Sequence, residues 1–323
     1  MVADLIYECR EETKSHTYNQ TPEEVEELWR NWVLPTVEDA DPDEVETVVV
    51  AQIGDYGSAG ANELAVSTLV KSWDPDFVVT SGDNNYTAGA ANTIDANIGQ
   101  YYAKFIYPYT GGYALLAGET AATANQFWPV LGNRDWDGTA DPLLPTHYTD
   151  YFTLPNNERY YDFVVGDVHF FMLDSGFDST LVNREPDGIT QYTIQYDWWA
   201  ARMAQSTAKW KIVVLHHPPY SNTTGKTTIG APLQWDYKAK GADLVIAGHA
   251  HNYERLLVDG LPYIVNGAGG YSISDTFIVS PVDSVLRYNT AYGALKVTVS
   301  SAEFKAEFIN VSGTVIDTLT LTK

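Results

Sequence analysis

The sequence predicts an α/β (α+β) fold in which two packed β-sheets form a sandwich flanked by helices. Three observations lead there. From residue 47 onward, short apolar runs are each followed by a polar, glycine-containing turn. Segments of helical spacing lie between some of these runs. Residues 293–321 alternate apolar and polar side chains, as antiparallel strands with one buried face do. A chain of 323 residues could hold two domains, but one large β-rich domain of this length is common. The pattern places one catalytic-size domain over 47–323, after an extension of residues 1–46.

The extension is compositionally separate, with fourteen acidic residues against three basic. Thr21-Pro22-Glu23-Glu24 reads as a capping box with proline at the first helical position. Val25, Leu28, Trp29, Trp32 and Val33 follow helical spacing, and Pro35 ends the run. The expectation is one short acidic helix docked on the main domain. Residues 1–46 lack the basic start and apolar core of a signal peptide.

In the main domain the apolar runs are 47–53, 77–80, 127–131, 160–165, 168–173, 211–215, 244–247 and 263–265. Each is expected as a strand. Only Gly166-Asp167 separates the fourth and fifth, which predicts a tight hairpin. Helical patterns are clearest over 194–205 and 233–240. Strands in 293–321 should turn around Ser312-Gly313. The stretch 87–124, rich in Gly, Ala, Tyr and Thr, reads as a surface excursion with helix over 98–106. Such excursions often wall active sites.

Nineteen basic residues against 42 acidic give a formal charge of −23. That argues against binding nucleic acid or an anionic membrane through general charge, because phosphate contacts need Lys and Arg. An anionic substrate would need a local reversal of the field, which bound cations supply. Cys9 is the only cysteine, so no internal disulfide is possible, and no apolar run is long enough for a membrane helix.

Five polar clusters stand at the carboxyl ends of the apolar runs. They are Gly54-Asp55-Tyr56-Gly57, Gly82-Asp83-Asn84-Asn85-Tyr86, Gly132-Asn133-Arg134-Asp135, His216-His217-Pro218-Pro219 and Gly248-His249-Ala250-His251. Ligand sites gather where strands of a sheet end. Asp, Asn, Tyr and His are oxygen and nitrogen donors suited to Zn, Fe or Mn. Each cluster alone has an ordinary reading as a cap, a turn or a packed ring. Five in succession, each at a strand end, point to a binuclear metal centre, which would clamp a phosphoryl group and activate water.

The order of these motifs resembles the calcineurin-like metallophosphoesterases, and within them the purple acid phosphatases. Many members of the wider family carry Asp-x-His in the first motif, whereas here Gly57 stands at the His position and Tyr86 ends the second motif. Loss of that His together with gain of the Tyr marks the purple acid phosphatases. The resemblance spans roughly residues 47–322, without the fibronectin-like domain of the large plant enzymes. It implies that Asp55, Tyr86 and His251 bind an Fe(III). Asn133, His216 and His249 would bind a divalent Fe, Zn or Mn, with Asp83 bridging. It further implies hydrolysis of phosphate monoesters by a metal-bound hydroxide, an acidic optimum, a small phosphorylated substrate, and a secreted or periplasmic location.

One position departs from the family. Its third motif is usually Gly-Asn-His-Asp or Gly-Asn-His-Glu, but here Arg134 replaces the His. Arginine can neutralise a phosphate oxygen, yet it keeps its proton and is a poor general acid. Arg134 is therefore expected as a phosphate clamp. His217, and less directly His147, are candidates for protonating the leaving group. Asn252 is a candidate pocket residue, whereas Arg255 fits either the pocket or an ion pair in the scaffold. His169, on an apolar strand, is expected to be structural. Two alternatives stay open: a phosphodiesterase or nucleotidase using the same site, and a metal-binding protein with weak catalysis.

Overall fold

The computed structural model describes residues 47–323, except Ala140. The helix expected within 1–46 lies outside the described residues. Along the chain come β1 (Val48–Ile53), β2 (Phe77–Thr80) and β3 (Phe127–Pro129). The hairpin β4 (Tyr161–Val165) and β5 (Val168–Met172) follows, then β6 (Trp210–Val214) and β7 (Leu244–Ala247). The remaining strands are β8 (Tyr253–Val258), β9 (Leu261–Asn266), β10 (Ser284–Tyr288), β11 (Gly293–Val299), β12 (Glu303–Asn310) and β13 (Val315–Thr322).

They form two sheets, in the orders β13-β12-β11-β1-β2-β3 and β10-β8-β9-β7-β6-β5-β4. β1, β2 and β3 run parallel, and so do β5, β6, β7 and β9. Buried parallel strands carry apolar residues on both faces. In the second sheet Phe170, Met172, Ile212, Val214, Leu244 and Ile246 belong to the cluster shared with the first sheet. Their neighbours Phe171, Val213, Val245 and Ala247 belong to a second cluster with Trp199 and Met203. Phe77 of β2 meets Phe170 edge-on at 5.7 Å, which joins the two sheets across the sandwich. Helix Ile194–Gln205, from which Trp199 and Met203 come, covers the outer face and matches the expected span. Trp210, at the start of β6, donates its indole proton to Ser300 O at 3.0 Å.

Helix Ala61–Ser72 was not expected from the pattern. Its N-cap, Gly60, has no side chain to signal a start, and Val66 and Val70 supply only a narrow apolar stripe. Glu63, in the first turn, fastens the preceding loop, accepting from Ser58 N and Ala59 N at 2.9 and 2.8 Å. The helix expected over 233–240 is corrected to one 3-10 turn, Ala231–Leu233, followed by turns. There Leu233, Trp235 and Tyr237 are the buried positions. That is a period of two, which a helix does not present to one surface. The expected helix over 98–106 is the end of a longer irregular run beginning at Ala91, with a π-turn at Asp95–Gly99.

β8 and β10 were also not anticipated. β8 starts two residues after the last polar cluster, and β10 alternates half-buried with exposed residues at the sheet edge. The gap before β8 is too short to read as a separate turn. His169 is structural as expected: its Nε2 meets Asp162 Oδ2 at 2.7 Å and its Nδ1 meets Ser206 Oγ at 2.9 Å. Arg255 forms a two-pronged contact with Asp317 at 2.6 and 2.9 Å, which ties β8 of one sheet to β13 of the other. It belongs to the scaffold.

Candidate metal centre

Parallel alignment of β1, β2 and β3, and of β6 and β7, brings their carboxyl ends to one edge of the sandwich. Asp55 follows β1, Asp83 and Tyr86 follow β2, Asn133 follows β3, His216 follows β6, and His249 and His251 follow β7. Asp55, Asp83 and His249 have φ of 54°, 51° and 67°. Left-handed backbone at non-glycine residues costs on the order of 1–3 kcal/mol each and persists where surrounding contacts enforce it. All three sit in the loops that follow the strands, and the chain bends at Asp55 and His249.

The donor atoms sort into two sets. In the first, Tyr86 Oη lies 3.0 Å from Asp55 Oδ1, 2.8 Å from Asp83 Oδ2 and 3.2 Å from His251 Nε2. His251 Nε2 is 3.3 Å from Asp55 Oδ1. In the second, Asn133 Oδ1 lies 3.1 Å from His216 Nε2 and 3.0 Å from His249 Nδ1. His216 Nε2 is 3.3 Å from Asp83 Oδ1. Asp83 thus turns one oxygen to each set. Metal–ligand bonds of about 2.0–2.2 Å place adjacent donors roughly 3 Å apart, so this donor set fits a pair of cations.

Packing around the donors fixes their orientation. His216 Nδ1 bonds to Ser81 O at 2.8 Å, which leaves Nε2 for the centre. Arg134 N–H donates to Asp83 Oδ1 at 2.8 Å and His249 N–H to Asp55 Oδ2 at 2.8 Å. Asp135 accepts from Gly132 N at 2.8 Å and from Asn84 Nδ2 at 2.9 Å, stitching the loop after β2 to the loop after β3.

The electrostatics also favour cations. Burial and the adjacent Asp55 and Asp83 carboxylates push the Tyr86 phenol well above its ordinary range. Burial raises Asp83, opposed by His216. At Asp55, burial is outweighed by the His251 hydrogen bond and nearby positive charge, so its carboxyl falls below the usual range. Burial and the Asp83 charge bring Asp135 up to about 8. Two buried carboxylates facing a phenol repel charge that a multivalent cation would neutralise.

The other expected residues lie in different places. His217 is buried beside the second set, its ring 4.3 Å from that of His249 and its Nδ1 2.7 Å from Ser175 Oγ. Its Nε2 is buried without a partner. Burial, with the neighbouring His216 and Lys226, holds its pKa well below the ordinary histidine range. The Arg134 guanidinium sits 5.9 Å over the Tyr86 ring, with Thr87 O at 3.4 Å and Asp137 Oδ2 at 3.5 Å. Its side chain is 35% exposed, at the rim. Asn252, a pocket candidate, is buried, donates to Thr223 Oγ1 at 2.8 Å and leaves its Oδ1 without a partner. No contact of His147 with a donor residue is seen among the described residues, and its Nδ1 is buried without a partner.

Sequence reading passed over Tyr271, Ser175, Lys226 and Asp275. Tyr271 stacks on Tyr86 with ring centroids 3.6 Å apart and 5° between planes, and its N–H donates to Asp55 O at 3.0 Å. A signal was present: Gly267, Gly269 and Gly270 follow β9, and a Cβ at Gly269 would lie 2.3 Å from Gly54 O. Such glycine density after a strand marks close approach of two backbones.

Residues 47–253 match the calcineurin-like phosphoesterase family. Purple acid phosphatase 17 of Arabidopsis thaliana is 27% identical over 242 residues, covering 67% of this chain and 67% of that protein. Tartrate-resistant acid phosphatase type 5 of Sus scrofa is 23% identical over 285 residues, covering 78% and 77%. Among solved structures, purple acid phosphatase from yellow lupin (Lupinus luteus) seeds aligns with a TM-score of 0.65 at 20% identity, covering 87% of this chain and 55% of that one. GAP50, described as the anchor in the inner membrane complex of Plasmodium, aligns at 0.63 and 20%, covering 85% and 89%. No described helix is long and apolar enough to cross a membrane. With the matched domain spanning all five clusters, the chain belongs to the calcineurin-like phosphoesterase family, is a phosphoric ester hydrolase, and resembles the purple acid phosphatases within that family.

Proposed function

We propose that this protein hydrolyses phosphate monoesters at a two-metal centre, Fe(III) beside a divalent Fe, Zn or Mn. The observation that carries the reading is the sorting of seven donors into two sets that share Asp83. Asp55, Tyr86, Asp83 and His251 offer three anionic oxygens and one imidazole, which suits a hard trivalent ion. Asn133, His216, His249 and Asp83 offer an amide, two imidazoles and a shared carboxylate, which suits a divalent one. When bound, such a pair supplies Lewis acidity toward phosphoryl oxygens and a water activated at moderate pH.

The protein's own residues do the rest. Arg134, at the rim, offers a planar guanidinium fork that can take a phosphoryl oxygen. Ser175 Oγ engages Nδ1 of His217 at 2.7 Å, which leaves Nε2 as the ring nitrogen without a partner and able to meet a phosphate oxygen or water. Tyr271 covers one face of Tyr86 and excludes water from that side. A secreted or periplasmic setting belongs to the same reading, by likeness to the purple acid phosphatases.

Paired assays on p-nitrophenyl phosphate and bis-p-nitrophenyl phosphate test the substrate class, with Asp83→Ala as control. A preference for the diester would replace the monoester reading with a phosphodiesterase. Arg134 in place of histidine favours a second reading, a metal-retaining protein of weak catalysis. Full metal loading without turnover of either ester would select it.

A further inference from the structure

We propose that Lys226, positioned by Asp275, contacts the substrate phosphate and is a binding residue of this centre beyond the metal ligands and Arg134. The inference rests on the phosphoesterase reading and names a residue that sequence reasoning left without a role.

Lys226 lies on the stretch after β6 and Asp275 on the stretch after β9. The two stretches are joined, since Thr224 N–H donates to Thr276 O at 2.8 Å and Thr223 bridges to Phe277. An ammonium has three protons. One of Lys226 goes to the His249 carbonyl and one to Asp275 Oδ2 at 2.9 Å, which leaves the third for a ligand. Asp275 Oδ2 also accepts from His251 N–H at 2.9 Å, so the carboxylate fastens Lys226 to the His249–His251 turn. The two side chains are 19% and 23% exposed, open to water and to a small anion.

Lys226 is held against the His249–His251 turn, which supplies donors to both sets. Its charge bears on Asp55 and His251 of the first and on His249, with neighbouring His217, of the second. A phosphate reaching both metals would enter the same field. In a chain of formal charge −23, a cation at this position offsets repulsion that would otherwise meet an anionic ester. Arg134 approaches over the Tyr86 ring from the loop after β3, so the two cations come from separate loops.

The test is titration of the metal-loaded full chain with inorganic phosphate, followed by calorimetry, together with KM for p-nitrophenyl phosphate. Lys226→Met should retain both metals and weaken phosphate binding by about tenfold or more, as loss of a charge-assisted hydrogen bond does. Lys226→Arg should stay within about threefold of wild type. Asp275→Asn should fall between, because it frees the ammonium without removing it. Phosphate affinity of Lys226→Met within twofold of wild type would overturn the proposal. So would equal losses in all three variants, which mark a loop fastening alone. If Lys226→Met does not fold, Lys226→Gln takes its place under the same criteria. A wild type that binds phosphate but turns over no ester would sink the hydrolase reading, while the phosphate titration still decides Lys226.

Discussion

A Cβ added at Gly57 would lie 1.7 Å from the carbonyl oxygen of Asn84, and Tyr86 N–H donates to Gly57 O at 2.7 Å. The loop after β2 therefore rests directly on the loop after β1, in the space a side chain at 57 would need. Absence of a histidine at 57 and presence of Tyr86 as a donor are thus two results of one backbone contact. Gly57→Ala should destabilise the fold by about 1–3 kcal/mol, the usual cost of forcing atoms into filled space. Urea unfolding with Tyr86-dependent metal content as a second readout checks this. Wild-type stability in the alanine variant would mean that the two loops are not in contact.

Tyr86 Oη lies between Asp55 and Asp83 and would become an anionic oxygen of the first set once a cation displaces its proton. Native protein holding Fe(III) there should show a visible charge-transfer band, and Tyr86→Phe should abolish the band while the second metal is retained. Elemental analysis beside the visible spectrum decides the point. A colourless protein active with two divalent metals would remove the Fe(III) assignment and leave the family.

Asp83 turns Oδ2 to Tyr86 and Oδ1 to His216, whereas Asp55 Oδ1 faces only Tyr86 and His251. Asp83→Ala should therefore reduce occupancy of both metals, and Asp55→Ala chiefly that of one. Metal stoichiometry after gel filtration separates the two outcomes, and equal losses would argue against a bridge.

An arginine is a poor general acid, so with Arg134 in place of histidine esters with poor leaving groups should react slowly relative to aryl esters. Arg134→His should raise kcat/KM on alkyl phosphates selectively, on the order of tenfold or more, as a recovered general acid does. The comparison is the alkyl-to-aryl rate ratio in the two proteins. An unchanged ratio would mean that proton delivery is not limited at this position.

Asp317 joins the sheets through Arg255 and accepts from Tyr253 Oη at 2.8 Å. Burial would raise its carboxyl, but the Arg255 and Tyr253 hydrogen bonds hold it below the usual range. A carboxyl depressed by folding stabilises above its unfolded value, about 4, and that contribution is lost as pH falls through the folded value. Asp317→Asn should flatten the acid limb of stability below about pH 4 and cost about 1–2 kcal/mol near neutrality, since Arg255 loses its charge-assisted partner but stays partly solvated. Chemical denaturation from pH 2 to pH 7 reads both effects, and parallel pH profiles for the two proteins would exclude the role.

The donor residues were legible in the sequence because their information is local. A strand announces itself by a short apolar run, its end by glycine and a polar cluster, and ligand side chains cluster where parallel strands stop. That was enough to locate the five clusters and the hairpin at Gly166-Asp167, and the family resemblance then picked Asp55, Asp83, Tyr86, Asn133, His216, His249 and His251 out of them. Where apolar spacing was ambiguous it misled: 233–240 reads as a helix until the alternate burial of Leu233, Trp235 and Tyr237 is seen. Only the tertiary structure decided which Asp83 oxygen faces which donor set, and that Asn252 and the His217 ring are fully buried. It alone brought Tyr271, Lys226 and Asp275 to the centre. These depend on two sheets packing so that loops far apart in sequence meet, and on the burial that shifts proton affinity there, neither of which leaves a periodic trace along the chain.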